Sequence, residues 1–119
     1  MALTEEGQDA AADGVATAFP WLALFDGDPE GAGTELSGGS PAYARLQGTW
    51  PSASSGATTA SNTPLTFDIP AGADVSHVAW FSAVTAGTRG GSVALAATES
   101  YAAQGEFDLN TATIDPLAT

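Results

Sequence analysis

The chain has 119 residues, fourteen acidic side chains against two arginines, no lysine and a net charge of −12. It therefore lacks the clustered cations that phosphate backbones and anionic lipids require, and neither nucleic acid nor a membrane is an expected partner. Its 44% hydrophobic content and three tryptophans exclude disorder, and the absence of cysteine excludes disulfides and thiolate metal sites.

Such charge density repels itself unless counterions screen it, and in molar salt the Debye length falls to about 3 Å. The composition therefore points to a halophilic source. No apolar run approaches the roughly 20 residues needed to span a bilayer. Glu5 and Glu6 stand where a secretion signal would carry positive charge. The expectation is a soluble chain synthesised in the host cytoplasm.

Length predicts one domain over 1–119, with an N-terminal helix over 1–18 and an antiparallel β-sandwich of seven to eight short strands over 19–119. In the helix, Thr4 is the expected N-cap, and Glu5, Glu6 and Asp9 lie near the positive end of the dipole. Pro20 prevents continuation. The expected buried stripe is Leu3, Gly7, Ala11, Gly14 or Val15, and Ala18. Such small residues suit close approach to a sheet or a neighbouring chain, so the helix is expected to serve assembly while the β-region holds most of the core.

From Trp21 the pattern switches to a period of two, the signature of an all-β sandwich or barrel. Trp21 to Phe25 is a continuous apolar strand, covered on both faces and ended by the Asp26-Gly27-Asp28-Pro29 turn. Tyr43 to Trp50 is the next expected strand. Leu65, Phe67 and Ile69 alternate with Thr66 and Asp68, then Pro70-Ala71-Gly72 closes the run. Val75 to Ser82 forms another strand, and Val93, Leu95 and Ala97 define one more after a Gly87 to Gly91 turn. Phe107 and Leu109 alternate with Glu106 and Asp108, and Asn110-Thr111 breaks the phase before Ile114, as a hairpin or bulge would. Gly31 to Pro41 and Ser52 to Asn62 are low in complexity and read as loops or weak edge strands.

Catalytic constellations are missing. His77 is the only histidine, which excludes histidine-rich zinc sites and two-histidine acid/base schemes; it lies inside a strand and reads as structural. There is no nucleophile elbow, Walker loop or dinucleotide fingerprint. Asp26, Asp28 and Glu30 bring three carboxylates within five residues and are weak candidates for a calcium site, but the full EF-hand loop is absent and a strand-ending turn on an acidic surface is the favoured reading. The expectation is a non-enzymatic protein without cofactor.

The most specific feature is the run Gly33 to Arg45, a polar loop delivering Tyr43 and Arg45 to the start of a strand. In so acidic a chain, Arg45 is placed for a buried or interfacial ion pair, with Glu35 the nearest carboxylate; a solvated arginine is the alternative. Glu35, Tyr43, Arg45, Trp80 and Arg89 are the candidate interface residues.

Five stretches, Met1 to Thr4, Gly27 to Pro29, Glu35 to Arg45, Phe67 to Gly72 and Ser76 to Gly91, resemble in order and spacing a family of small virion proteins of tailed phages and prophages, described as tail-fibre-like or minor capsid proteins. The family pattern carries lysines in the first helix, where this chain has Gln8-Asp9-Ala10, and a His-Thr pair where it has Phe25-Asp26. Pro41-Ala42 lengthens the Gly-Gly-Ser-Tyr-Ala-Arg motif by two residues. The replacement of lysine by acid fits a haloarchaeal host.

The resemblance implies a structural protein of the virion, without cofactor or catalytic residue, working as a homo-oligomer beside major capsid or tail proteins. A capsid decoration or turret component is the first expectation, and a tail, baseplate or fibre subunit the second. A carbohydrate-binding module that stacks a host-surface glycan on Trp21, Trp50 and Trp80 is the alternative from another class.

Overall fold

The computed structural model describes residues 1–117, and its only helix among them, α1, runs Glu5–Ala18. The Thr4 hydroxyl accepts the Gly7 N–H at 3.2 Å, with Glu5 and Glu6 in the first turn, so the N-cap forms as expected. The buried face differs from the predicted stripe. Ala12 and Ala16, one turn apart, are the buried residues, with Val15 and Phe19 packed beside them, whereas Gly14 and Ala18 are exposed. A run this rich in alanine and glycine has little apolar contrast around its circumference, so tertiary partners decide which side faces inward.

Two acids also fix that orientation. Asp9 Oδ1 accepts the Gly56 N–H at 2.8 Å and Asp13 Oδ1 accepts the Ala53 N–H at 2.7 Å, clamping the 53–56 loop onto the helix. Asp9 thus serves a tertiary contact beyond the first turn. Because Ala12 and Ala16 belong to the main core, α1 is part of the fold.

Eight strands follow: β1 (Trp21–Phe25), β2 (Leu46–Gln47), β3 (Thr58–Thr59), β4 (Leu65–Ile69), β5 (Ala73–Phe81), β6 (Arg89–Tyr101), β7 (Gly105–Leu109) and β8 (Thr113–Ile114). They form a four-stranded sheet in the order β2-β1-β5-β6 and two ribbons, β3-β8 and β4-β7, with every pairing antiparallel. The expected mostly β architecture behind one helix is what the chain adopts.

β1 lies between β2 and β5, which explains its unbroken apolar run. Leu22 and Leu24 face the main core opposite Trp80 and Val78, while Ala23 and Phe25 face the other side with Ala79 and Phe81. The ribbons and α1 close the main core with Leu65, Phe67 and Ile69 from β4, Leu109 from β7, Ile114 from β8 and the two helix alanines. β4 keeps the predicted alternation, with Leu65, Phe67 and Ile69 buried.

Three expectations need correction. The Tyr43 to Trp50 strand is only Leu46–Gln47. Gly48 turns the chain out, donating its N–H to Pro20 O, and the Trp50 ring lies 2.8 Å from where a Gly48 Cβ would stand. The break at Asn110-Thr111 is not a hairpin: it carries the chain from β7, paired with β4, to β8, paired with β3. Residues 89–91, assigned to a turn, already belong to β6, and that strand is largely exposed along its 13 residues, with Val93 50% exposed. Alternation in a sequence shows that a strand has two faces, but not that either is covered.

The β4-β7 register sets Asp68 directly opposite Glu106. Like charges facing each other across an antiparallel pair are destabilising, and little cationic charge is available nearby to offset them. Glu106→Lys is expected to raise stability at low ionic strength by roughly 0.2–1 kcal/mol. The gain should shrink towards molar salt. Thermal unfolding of both proteins across a salt series checks this.

Candidate functional site

The polar loop before β2 crosses the open part of the edge of β1. Beyond the β2 pairing, Leu36 donates its N–H to Leu24 O at 3.1 Å and Asp26 donates to Thr34 O at 3.1 Å, so residues 34–36 extend the sheet past β2. Between the two segments the Leu24 N–H has no strand opposite it. The Tyr43 hydroxyl accepts it at 2.9 Å and donates to Glu35 Oε2 at 2.8 Å. A side chain thus replaces a missing strand residue, and Tyr43 is held there by its ring, stacked on Phe67 at 6.4 Å between centroids.

Glu35 receives more than this hydroxyl. Arg45 donates Nε to Glu35 Oε2 at 2.9 Å and Nη2 to Oε1 at 2.8 Å, the two-pronged geometry in which guanidinium and carboxylate match. Its Nη1 donates to the carbonyls of Ala83 at 2.9 Å and Ala86 at 2.7 Å. The guanidinium carbon stands 3.8 Å from the centroid of Phe81, whose ring stacks in parallel with Phe25 at 6.0 Å. Alanines at 23 and 79 form the floor that lets these rings lie over the sheet.

Arg45 thereby seals the outer face of β1 and β5 and pins the 83–86 turn. Its side chain is 7% exposed against 25% for Glu35, so the pair is shielded, and four of the five guanidinium N–H donors are engaged within the chain.

The hydrogen bond to Glu35 raises the Arg45 pKa further, and burial pushes the Tyr43 hydroxyl far above its usual range, with Glu35 adding to the effect. The unfolded tyrosine value is about 10. The Tyr43 contribution is therefore intact below pH 10 and falls as pH rises beyond it, by about 1.4 kcal/mol per pH unit while only the unfolded chain has lost the proton. Tyr43→Phe should flatten this alkaline loss, measured as unfolding free energy between pH 9 and 12. A residual slope from Tyr101 is expected, since burial and then Glu99 and Asp108 raise it too.

The other candidates do not join this cluster. Arg89 reaches the opposite turn, donating Nη1 to Pro29 O at 2.8 Å with Glu30 3.9 Å away. Asp26 Oδ1 accepts the Thr34 N–H at 2.7 Å and Asp28 Oδ1 accepts the Glu30 N–H at 2.9 Å, as turn-forming carboxylates do. Among the described residues no group of three acids or histidines converges as a metal site would require. His77 Nδ1 lies 2.8 Å from Ser76 Oγ, in β5 opposite Phe25.

Trp80 is buried in the main core, Trp21 packs on the other face of the same sheet, and half-buried Trp50 lies beside Pro20. The three tryptophans therefore form no common stacking platform. Sequence reasoning did not find Phe81 or the carbonyls of Ala83 and Ala86; a backbone acceptor leaves no side-chain signature to read.

The family model described as Podophage GP4 fiber I protein gp80 matches residues 3–115. The chain belongs to the gp80 family. The match spans α1, all eight strands and the Glu35–Tyr43–Arg45 cluster of this gp80 relative. No curated protein and no solved structure matches it.

Proposed function

We propose that the chain is a non-enzymatic structural subunit of the tail fibre of a tailed virus, carried on the virion in contact with other virion proteins. The carrying observation is the match to a fibre protein over residues 3–115. It favours the fibre over the capsid decoration or turret expected first. The polar chemistry is consistent with a structural role: the buried Arg45 and its partner Glu35 hold loops in place and present no free nucleophile or base. A saline habitat, as a haloarchaeal host would provide, accounts for a net charge of −12.

Antibody-gold labelling of intact virions tests this reading. Label at the tail is expected, and label over the head would return the decoration role. Particles produced without the gene should retain filled heads and lose fibre density in electron micrographs.

A further inference from the structure

The loop over residues 82–88, which joins β5 to β6, is held in a strained shape. Ala86 has φ +54°, in the left-handed region that favours glycine, and Gly87 follows at +75°. Strain of this kind persists only where the surroundings over-determine it, and it gathers where a protein keeps a surface ready for a ligand or partner. Arg45 Nη1 holds the carbonyls of Ala83 and Ala86 from below. The two ends of the loop are tied by the Ser82 N–H to Thr88 O at 3.0 Å and by the Thr88 N–H to Ser82 Oγ at 2.9 Å.

Covering the outer face of the sheet does not use the whole loop. Residues 84–88 are all exposed, and Val84, 47% exposed, is one of the few large apolar side chains left open. The loop carries no acid in a chain with fourteen, and the residue that follows it is Arg89. Since the Arg45 side chain is enclosed, Arg89, at 30% exposure, is the arginine that a partner can reach.

We infer that the 82–88 loop is a preformed attachment surface for another virion protein, which receives Val84 in a shallow apolar depression and sets a carboxylate against Arg89. The inference rests on the virion reading but not on the fibre as the place. Charge selects the partner: an acidic surface is repelled by most of a chain carrying −12, and least where no carboxylate precedes an accessible guanidinium. Rigidity serves the contact, because a loop already fixed by Arg45 has little freedom left to lose on binding.

Complementing particles produced without the gene, then immunoblotting the purified particles, tests this. Val84→Asp should fold by circular dichroism and enter particles at about one tenth of the wild-type level or less, since a carboxylate buried without a partner is strongly disfavoured. Ala71→Asp adds the same charge at an exposed turn before the other end of β5 and should enter normally. Arg89→Gln should lower incorporation by up to about fivefold, as loss of an exposed ion pair does. Ala86→Gly relieves the left-handed strain, so its unfolding midpoint should hold or rise while incorporation falls about threefold as the loop gains freedom. A loop that only covers the sheet would show the first of those effects without the second.

Normal incorporation of Val84→Asp, Arg89→Gln or Ala86→Gly, or a loss with Ala71→Asp as large as with Val84→Asp, would overturn the inference. The blot counts incorporation wherever the protein sits, so wild-type label over the head would remove the fibre reading and leave this one. Wild-type label at the tail with normal entry of Val84→Asp would do the reverse.

Discussion

Replacing Arg45 with alanine is expected to remove about 3–5 kcal/mol of folding stability, the range seen when one member of a buried ion pair is deleted. The size follows from what remains: Glu35 keeps its charge, and the carbonyls of Ala83 and Ala86 lose their donor. Against a typical total of about 5–15 kcal/mol, this brings the protein close to unfolding.

Arg45→Lys should recover only part of the loss, because an ammonium cannot hold both Glu35 oxygens and two carbonyls in one plane while lying over Phe81. The double change Arg45→Met with Glu35→Gln should cost clearly less than Arg45→Ala alone, since no unpaired charge is left behind. Urea unfolding midpoints for the variants decide the matter. If both single Arg45 variants match the wild type, the contact contributes nothing to stability.

Phe67→Ala is expected to cost about 3–5 kcal/mol, as large aromatic truncations in a closed core do. Phe67 is 1% exposed, in the strand facing Phe107 across the ribbon and stacked on Tyr43. The ring that positions the Tyr43 hydroxyl would lose its support, so this substitution should reach the ion pair from the opposite side of the sheet. The losses from Phe67→Ala and Arg45→Ala should then fall short of additivity, and a double-mutant cycle measures the shortfall. Strict additivity would mean that the core and the charged cluster are independent despite the shared tyrosine.

The parts of the fold legible in the sequence were those governed by local pattern. Thr4 as a cap, the apolar β1 and the alternation of Leu65, Phe67 and Ile69 each express a preference of a few adjacent residues, and each appears in the structure. What stayed hidden depends on distant partners. The inward side of α1 is set by Gly56 and Ala53 bonding to Asp9 and Asp13. The exposure of β6 follows from its place at the end of the sheet order, which no residue in that strand encodes alone.

Within the site, Glu35 as the partner of Arg45 was readable because it is the nearest carboxylate in sequence to that arginine. The wider role of Tyr43, filling a gap in β1 pairing, was not readable, since the gap arises only when β2 ends at Gln47.

The way the two arginines are placed also bears on survival outside a cell. Digestive proteases of the trypsin type cut only after lysine or arginine, so this sequence offers them two bonds. One follows Arg45, whose side chain is clasped between Glu35 and the 83–86 turn; the other follows Arg89, at the first residue of β6 and tied to Pro29. Cleavage requires a segment to open and lie extended in the enzyme. With no lysine and both arginines tied into turns, the folded chain has hardly a bond to present to proteases of this type, a resistance that needs neither disulfides nor a larger core.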